Sequence, residues 1–316
     1  MTESSARPIH PATLAADSPA RPYTVAVLGL GAMGLPMATR LATRLAVNGF
    51  DIAADRLALA GAAGITPHDS ARSAAAGVDA VLLAVRNGDQ LRDALFGEAG
   101  VADALTAGSV VIMTSTVGIG DVTEVAERLS GLGIDLVDAP LSGGPVRAGE
   151  GDLLIVVGAV PSAREKAAPV LDLLASTLTV IGDRPGDGQA FKTVNQLLCG
   201  VHIAAAAEAL ALAEALGLDP DNTLATLSAG AAGSFMLANR GPRMLEARSE
   251  RGAEVLSRLD IFVKDMGIVS TAARSAGLAT PVASAAEQLF LLGKAAGLSA
   301  ADDSAVIGVL APGTAE

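Results

Sequence analysis

A single cysteine, Cys199, stands in the whole chain, which excludes a disulfide framework and any cysteine-based zinc site. It lies in an Ala/Leu-rich helical run and reads as a small buried hydrophobe. Tryptophan is absent and aromatics reach only 2%, although 51% of the residues are hydrophobic, so the core must be built from Ala, Val, Leu and Ile. Basic residues are scarce as well. The 22 Lys and Arg face 34 Asp and Glu, a formal net charge of −12, and the pI is near 4.7. That balance argues against a nucleic-acid partner, which needs a basic face, but leaves room for a local cationic pocket. His10, His68 and His202 have no partner at metal-ligand spacing, so no metal is expected. Residues 1–22 are rich in Pro, Ala and Ser, lack an apolar signal-peptide segment, and read as a disordered tail. The longest apolar stretch, 201–218, carries Glu208 and Glu214 and makes a poor membrane span. A soluble cytoplasmic chain with no membrane partner is the expectation.

What is present is organised in two parts, for which 316 residues suffice. Strand-like runs at 24–28, 50–54, 79–85, 109–114, 134–138, 153–157 and 178–181 alternate with helical segments near 32–46, 56–63, 88–96, 119–131 and 162–175. This alternation predicts an α/β domain over 23–185, an open, mostly parallel, doubly wound sheet of the Rossmann type. Pro36 falls in the first helical turn, where its missing N–H does little harm. After a Gly/Pro loop at 182–188 comes a helix near 189–216, apolar nearly all round and therefore buried. Further helical runs near 220–229, 235–247, 254–275, 281–295 and 302–310 complete an all-α domain over 186–316.

The most specific local signal is Gly29-Leu30-Gly31-Ala32-Met33-Gly34, which closes the apolar run 24–28 and opens a helix. The first glycine permits a tight turn, the second lets the backbone approach a pyrophosphate, and the third allows close helix–strand packing. The helix start supplies free N–H groups and a positive dipole end to the phosphates. Asp55 follows at the distance expected of the acid that binds the adenosine ribose hydroxyls and repels a 2′-phosphate, which favours NAD over NADP. Arg56, directly after it, is the residue that could accommodate that phosphate.

Three polar clusters interrupt apolar surroundings. Ser142-Gly143-Gly144 follows the run 134–138 and offers a hydroxyl and bare backbone N–H groups able to wrap a carboxylate, or simply to make a turn. Lys192 shares a helix face with Asn195 and Gln196 at i+3 and i+4. Buried without partners that cluster would be costly, whereas polar groups converging in an apolar wall describe a substrate pocket. Lys264-Asp265 lies within the apolar run 259–269, and Asn239-Arg240 forms a further pair whose role its spacing leaves open.

Taken together and in order, GLGAMGLPMA at 29–38, Ser115-Thr116, DAPLSGGPVRAGEG at 138–151, GDGQAFKTVNQ at 186–196 and KDMG at 264–267 resemble the β-hydroxyacid dehydrogenase family. Its members include 3-hydroxyisobutyrate dehydrogenase, tartronate semialdehyde reductase and 6-phosphogluconate dehydrogenase. The finer similarity is to its L-threonate-oxidising branch, through 192–210, 235–245 and 258–269. Many relatives carry Asn four residues after the catalytic lysine; here that position is Gln196, with Asn195 before it, and which amide meets substrate stays open. Phe235 stands where threonate-like relatives often carry Trp.

The resemblance implies that Lys192 is the catalytic lysine. It also implies that Ser142, Gly143 and Gly144 hold the substrate carboxylate, and that Asn195 and Gln196 orient the reacting hydroxyl. Lys264 would lie at cofactor and substrate, Thr116 near the nicotinamide ribose, and Ala84 and Val85 beside the cofactor. Asn239 and Arg240 suit a polyhydroxylated anionic hydroxy acid. An ordinary lysine, near about pKa 10.4, is a poor base at neutral pH, so burial or a neighbouring cation such as Lys264 is expected to lower it. Imine reductases and the inactive nuclear relatives generally lack the lysine, so Lys192 counts against both. The other activities in view are 3-hydroxyisobutyrate or tartronate semialdehyde chemistry and, in another class, a silent nucleotide-binding module. Relatives usually assemble, so a homodimer or homotetramer is expected.

Overall fold

The computed structural model describes residues 22–249 and 251–310, so the expected tail up to residue 21, with His10, lies outside the described residues. The chain divides into two compact units, residues 1–192 and 193–316.

The first unit is built on one sheet of nine strands: β1 (Thr24–Leu28), β2 (Ala46–Phe50), β3 (Thr66–Pro67), β4 (Ala80–Leu83), β5 (Val110–Met113), β6 (Asp135–Asp138), β7 (Leu141–Ser142), β8 (Leu153–Gly158) and β9 (Ala175–Gly182). Their spatial order is β3-β2-β1-β4-β5-β6-β8-β7, with β9 beside β8. Pairing is parallel from β3 across to β6, and β8 runs antiparallel to both β6 and β7. The helices α1 (Gly34–Ala42), α2 (Ala54–Ala62), α3 (Ala71–Ala75), α4 (Gly88–Phe96), α5 (Ile119–Ser130), α6 (Gly144–Glu150) and α7 (Pro161–Leu174) connect the strands.

Strand periodicity sorts the core into two layers. On β1, Val25 and Val27 join Leu30, Met37 and Leu41 on one face, while Ala26 and Leu28 join Leu91, Val125 and Leu129 on the other. Because both faces are covered, β4 and β5 are buried along their whole length, as parallel strands between helix layers must be. Burying each such Val, Leu or Ile stabilises the fold by about 1.5–3 kcal/mol.

The strand expected at 50–54 lies four residues earlier, at Ala46–Phe50. Asn48 and Gly49 are poor strand formers, but pairing with β1 on one side and β3 on the other overrides their propensity. Asn48 Nδ2 donates to Ala74 O at 2.9 Å, and a Cβ at Gly49 would stand 2.8 Å from Ile65 Cγ2. The preceding helix stops correspondingly early, at Ala42 rather than residue 46.

The long helix α8 (Asp187–Ala215) begins in the first unit and continues into the second, where α9 (Pro220–Ala229), α10 (Phe235–Glu246), α11 (Leu259–Ser275), α12 (Pro281–Ala295) and a 3-10 segment, Asp303–Val309, follow. Among the described residues this unit contains no strand, only an isolated bridge between Arg258 and Asp302. Its core joins Ile203, Ala207 and Leu210 of α8 to Met266, Phe290 and Val306. The rings of Phe262 and Phe290 stack with centroids 5.3 Å apart. Gly200 lets α11 approach α8, since a Cβ there would overlap Met266 Sδ. The α11 run starts at Leu259 rather than residue 254, and the last run is 3-10 rather than α. By length and composition α8 could cross a membrane, yet 44% of its most apolar window is already buried inside the protein, as in a core helix.

Candidate active site

Strand order reverses at β1, with β2 and β3 on one side and β4 on the other, which puts a crevice at the carboxyl ends of β1 and β4. Gly29, the residue after β1, has φ +93°, and a Cβ there would lie 2.5 Å from the Ala84 carbonyl oxygen. A Cβ at Gly34 would overlap the Gly29 carbonyl. The protein itself therefore accounts for the first and third glycines. Around Gly31 a Cβ would meet nothing within 4 Å. That open space beside the start of α1 fits a pyrophosphate approaching the backbone of residues 29–34, with Ala32 and Met33 leading into the helix. Ala84 and Val85 follow β4 along the same edge, and Thr116 follows β5, all three half-buried.

The acid at the end of β2 is Asp51. Its Oδ2 accepts from the Leu30 amide at 2.6 Å and its Oδ1 from the Ala53 amide at 2.9 Å, so it stands against the glycine turn. Asp55, expected in that role, instead lies in the first turn of α2 with its side chain 77% exposed and Arg56 4.0 Å away. The shift follows from the placement of β2: a strand ending at residue 54 would present Asp55, and a strand ending at Phe50 presents Asp51.

At the carboxyl end of β6 the chain enters residues 139–144. Gly143 and Gly144 have φ of +145° and +79°, backbone that side chains rarely adopt. A Cβ on Gly144 would meet nothing within 4 Å, so the backbone beside exposed Ser142 is open. Lys192 Nζ donates to the Leu141 carbonyl at 3.0 Å. The half-buried amine is thereby held one residue from Ser142.

Beneath them lies a carboxylate that sequence reasoning passed over. Asp138, the last residue of β6, is fully buried. Its Oδ2 accepts from the backbone N–H groups of Gly186 (2.9 Å) and Gln189 (2.8 Å), at the start of α8. Its Oδ1 accepts from Gln189 Nε2 at 2.9 Å. Gln189, 1% exposed, also donates to Ser115 O (3.1 Å), and its Oε1 accepts from the amides of Val117 (3.1 Å) and Gly118 (3.3 Å). Burial pushes the Asp138 carboxyl up to about 6 against the opposing pull of these hydrogen bonds.

In the second unit, Asn195 Nδ2 donates to Gln196 Oε1 at 2.9 Å and to Cys199 Sγ at 3.5 Å. Gln196 Nε2 donates to Asp265 Oδ2 at 2.5 Å, and Lys264 Nζ to Asp265 Oδ1 at 2.6 Å. Buried Asp265 thus gathers Lys264 and both amides into one chain of bonds. Arg240, expected near substrate, has its guanidinium turned inward: it donates to Asp303 Oδ1 (3.1 Å) and Oδ2 (2.9 Å), and to Asn239 Oδ1 at 2.7 Å. Among the described residues no three His, Cys, Asp or Glu gather as a metal site would require.

The residues that sequence reasoning missed are Asp51, Asp138 and Gln189, while Asp265 was noted with Lys264 but given no role. Asp138 and Gln189 are members of the quoted motifs, and Asp265 is adjacent to Lys264. The signal available was an acid or amide inside an apolar run, which has to find a partner.

Comparisons with known proteins agree with this geometry. Residues 24–182 match the family described as the NAD binding domain of 6-phosphogluconate dehydrogenase. Residues 186–310 match the one described as NAD-binding of NADP-dependent 3-hydroxyisobutyrate dehydrogenase. An L-threonate dehydrogenase of Escherichia coli is 38% identical over 299 residues, covering 92% of this chain and 97% of that one. The L-threonate dehydrogenase of Cupriavidus necator is also 38% identical, over 92% and 99% of the two chains. A crystal structure of a Salmonella typhimurium 3-hydroxyisobutyrate dehydrogenase is similar with a TM-score of 0.83 at 37% identity, covering 91% of this chain and 99% of that one. With both halves matched and its glycine turn open toward a dinucleotide, the chain belongs to the β-hydroxyacid dehydrogenase family and is an NAD(P)-dependent hydroxyacid dehydrogenase.

Proposed function

We propose that the chain oxidises a small polyhydroxylated carboxylic acid, L-threonate first, to its 2-oxo acid, with NAD as acceptor and Lys192 as the general base. One observation carries this reading: the Lys192 amine is bonded to Leu141 O, adjacent to the Ser142-Gly143-Gly144 segment. An amine beside a carboxylate-binding loop is what deprotonating the alcohol of a hydroxy acid requires. Bound NAD supplies the electron acceptor. Residues 29–34 hold its pyrophosphate, Ala84 and Val85 flank it, and Thr116 meets the nicotinamide ribose. The adenosine ribose falls to Asp51, whose carboxylate ends β2, and not to exposed Asp55 and Arg56. A carboxylate there accepts from the ribose hydroxyls and repels a 2′-phosphate, which favours NAD over NADP.

The Ser142 hydroxyl and the amides of Gly143 and Gly144 hold the substrate carboxylate. Lys192 takes the hydroxyl proton and, as an ammonium, stabilises the charge developing on that oxygen. Asn195 and Gln196, a turn further along α8, orient the hydroxyl through the bonds that tie them to Asp265, with Lys264 at cofactor and substrate. A polyhydroxylated acid uses such a set of polar partners. The smaller 3-hydroxyisobutyrate is the second reading, favoured by the name of the Salmonella structure. Apolar side chains along one side of α8, among them Val194, Leu198 and Leu212, are half or more exposed, and we assign that side to a homodimer or homotetramer of a soluble, cytoplasmic enzyme.

A panel of C3–C5 hydroxy acids assayed with NAD and with NADP tests the substrate and the cofactor together. L-threonate with NAD is expected to give the highest kcat/KM, and Lys192→Ala to lower kcat by about 10²–10⁴-fold with NAD affinity nearly unchanged. Undiminished turnover in that variant removes the lysine from the mechanism, and a clear NADP preference overturns the role of Asp51. Cofactor binding without turnover of any acid would leave the silent binding module.

A further inference from the structure

We infer that Asp138 and Gln189 form a buried positioning clamp that fixes the reacting amine of Lys192 against the carboxylate loop and ties both to the segment following β5. The inference rests on the reading of Lys192 as the reacting amine. Neither clamp residue touches substrate, since both side chains are buried.

The geometry is a closed loop of bonds. Asp138 ends β6 and opens the segment 139–144; at its near end that segment receives the Gly186 and Gln189 amides on Asp138 Oδ2, at 2.9 and 2.8 Å. Three residues further on, the Leu141 carbonyl receives Lys192 Nζ at 3.0 Å. On α8 the two attachment points, Gln189 and Lys192, are likewise three residues apart, one turn of the same helix. The first turn of the helix and the start of the substrate loop are thus joined at two places, so neither slides along the other without breaking both. A third attachment is added by the Gln189 side chain, which reaches Ser115 O, Val117 N and Gly118 N. One amide therefore contacts the strand end beneath the substrate loop and the turn that follows Thr116.

The chemistry of the donors suits a fixed anchor. All the groups that bond Asp138 are uncharged: backbone N–H groups at a helix start and a side-chain amide. A carboxylate there completes the orphan donors of the first turn and meets the positive end of the helix dipole. No lysine or arginine is among these donors. Displacements of about 1 Å at a reacting group lower rates by about 100-fold, which sets the scale of effect expected when such an anchor is cut.

Gln189→Met in the full-length chain keeps side-chain volume and removes the amide bonds to Asp138, Ser115, Val117 and Gly118, leaving the backbone N–H of residue 189 on Asp138. The expected result is a fall in kcat of about 10- to 100-fold with the NAD Kd nearly unchanged, together with a lowered thermal midpoint, because the Val117 and Gly118 amides lose their acceptor. Amide hydrogen exchange is expected to rise in residues 115–118 and 186–193 and nowhere else. In a Lys192→Ala background the same substitution should change residual turnover little, because residues acting as one unit are not additive. Asp138→Asn, which keeps one oxygen for the helix N–H groups but sets an NH2 against the Gln189 Nε2 donor, serves as the second variant and should also raise exchange over 186–193. Unchanged kcat in folded Gln189→Met overturns the clamp, as does a rise in exchange spread over the whole chain. If Lys192→Ala retains full turnover, the reading of the lysine fails, while the local exchange of residues 186–193 still decides whether Asp138 and Gln189 hold that turn.

Discussion

Each unit buries carboxylates completely and solves the resulting desolvation problem differently. Asp138 in the first unit is surrounded by neutral donors at the start of α8. In the second unit Asp302 accepts from Arg243 Nε at 2.9 Å, from the Ser304 hydroxyl at 2.6 Å and from the amides of Leu256 and Ser257. Asp303 beside it is gripped by Arg240. Full cations are thus used where the last 3-10 segment is fastened to α10, and partial charges where α8 leaves the sheet. Burial would raise Asp302, but its hydrogen bonds from Ser304, Arg243 and backbone amides outweigh it and hold the carboxyl below the usual range. Burial pushes Asp303 up despite Arg240, with the Asp302 charge adding to the rise. The arginine centre is a fastening, and Arg240 belongs to it. The cation-free centre joins the end of β6 to the start of α8.

The comparison breaks most visibly if one guanidinium is removed. Arg243→Ala leaves Asp302 buried without its cation, and breaking a buried pair this way costs about 3–5 kcal/mol. Denaturant unfolding should show that loss as a lower midpoint at an unchanged slope. A loss below about 1 kcal/mol would reduce the second centre to the rank of a surface pair.

The carboxylates also differ in the sign of their pH dependence. Asp138 in the folded chain sits at about 6 against an ordinary 3.8, so between those values the folded state keeps a proton that the unfolded state has released. Stability from this group is therefore greatest below pH 3.8, falls by about 3 kcal/mol in all as pH rises to about 6, and is level above. Asp302, held low, works the other way: its contribution is present above 3.8 and is lost as pH falls through the folded value. Asp138→Asn removes the first term alone. The unfolding free energy of the variant minus that of the parent should then climb by about 3 kcal/mol between pH 4 and 7. A flat difference would show that Asp138 titrates as it does in the unfolded chain.

These centres also mark how far the sequence was legible. The glycine turn was readable because its constraints are local: Gly29 and Gly34 are tied to the strand and helix they join, and the alternation of runs around them dictated the doubly wound sheet. The acid that serves the turn was misplaced because the strand before it contains Asn48 and Gly49, and only its two neighbours make that segment a strand. Arg240 was assigned to substrate by its chemistry, yet its partner Asp303 lies 63 residues away. Asp138 and Gln189 are separated by 51 residues, and no spacing rule joins a strand end to a helix start at that distance. Motifs that close on themselves were legible, and bonds between distant segments were not.

Local capping gives the smallest and last contrast. Asn87 caps α4 from the neighbouring position, its Oδ1 accepting from the Gln90 amide at 2.9 Å, while Gln90 Oε1 accepts in return from the Arg86 amide at 2.9 Å. Both residues are exposed, so water can replace either bond. Asn87→Ala should therefore cost only about 1 kcal/mol, the ordinary value for a solvated cap, with no local loss of exchange protection beyond the first turn of α4. Asp138 performs the same service for α8 from across the fold and out of reach of water. A removal of Asn87 as damaging as that of Asp138 would mean that burial adds nothing to a helix cap, and the distinction between a replaceable cap and a positioning anchor would be lost.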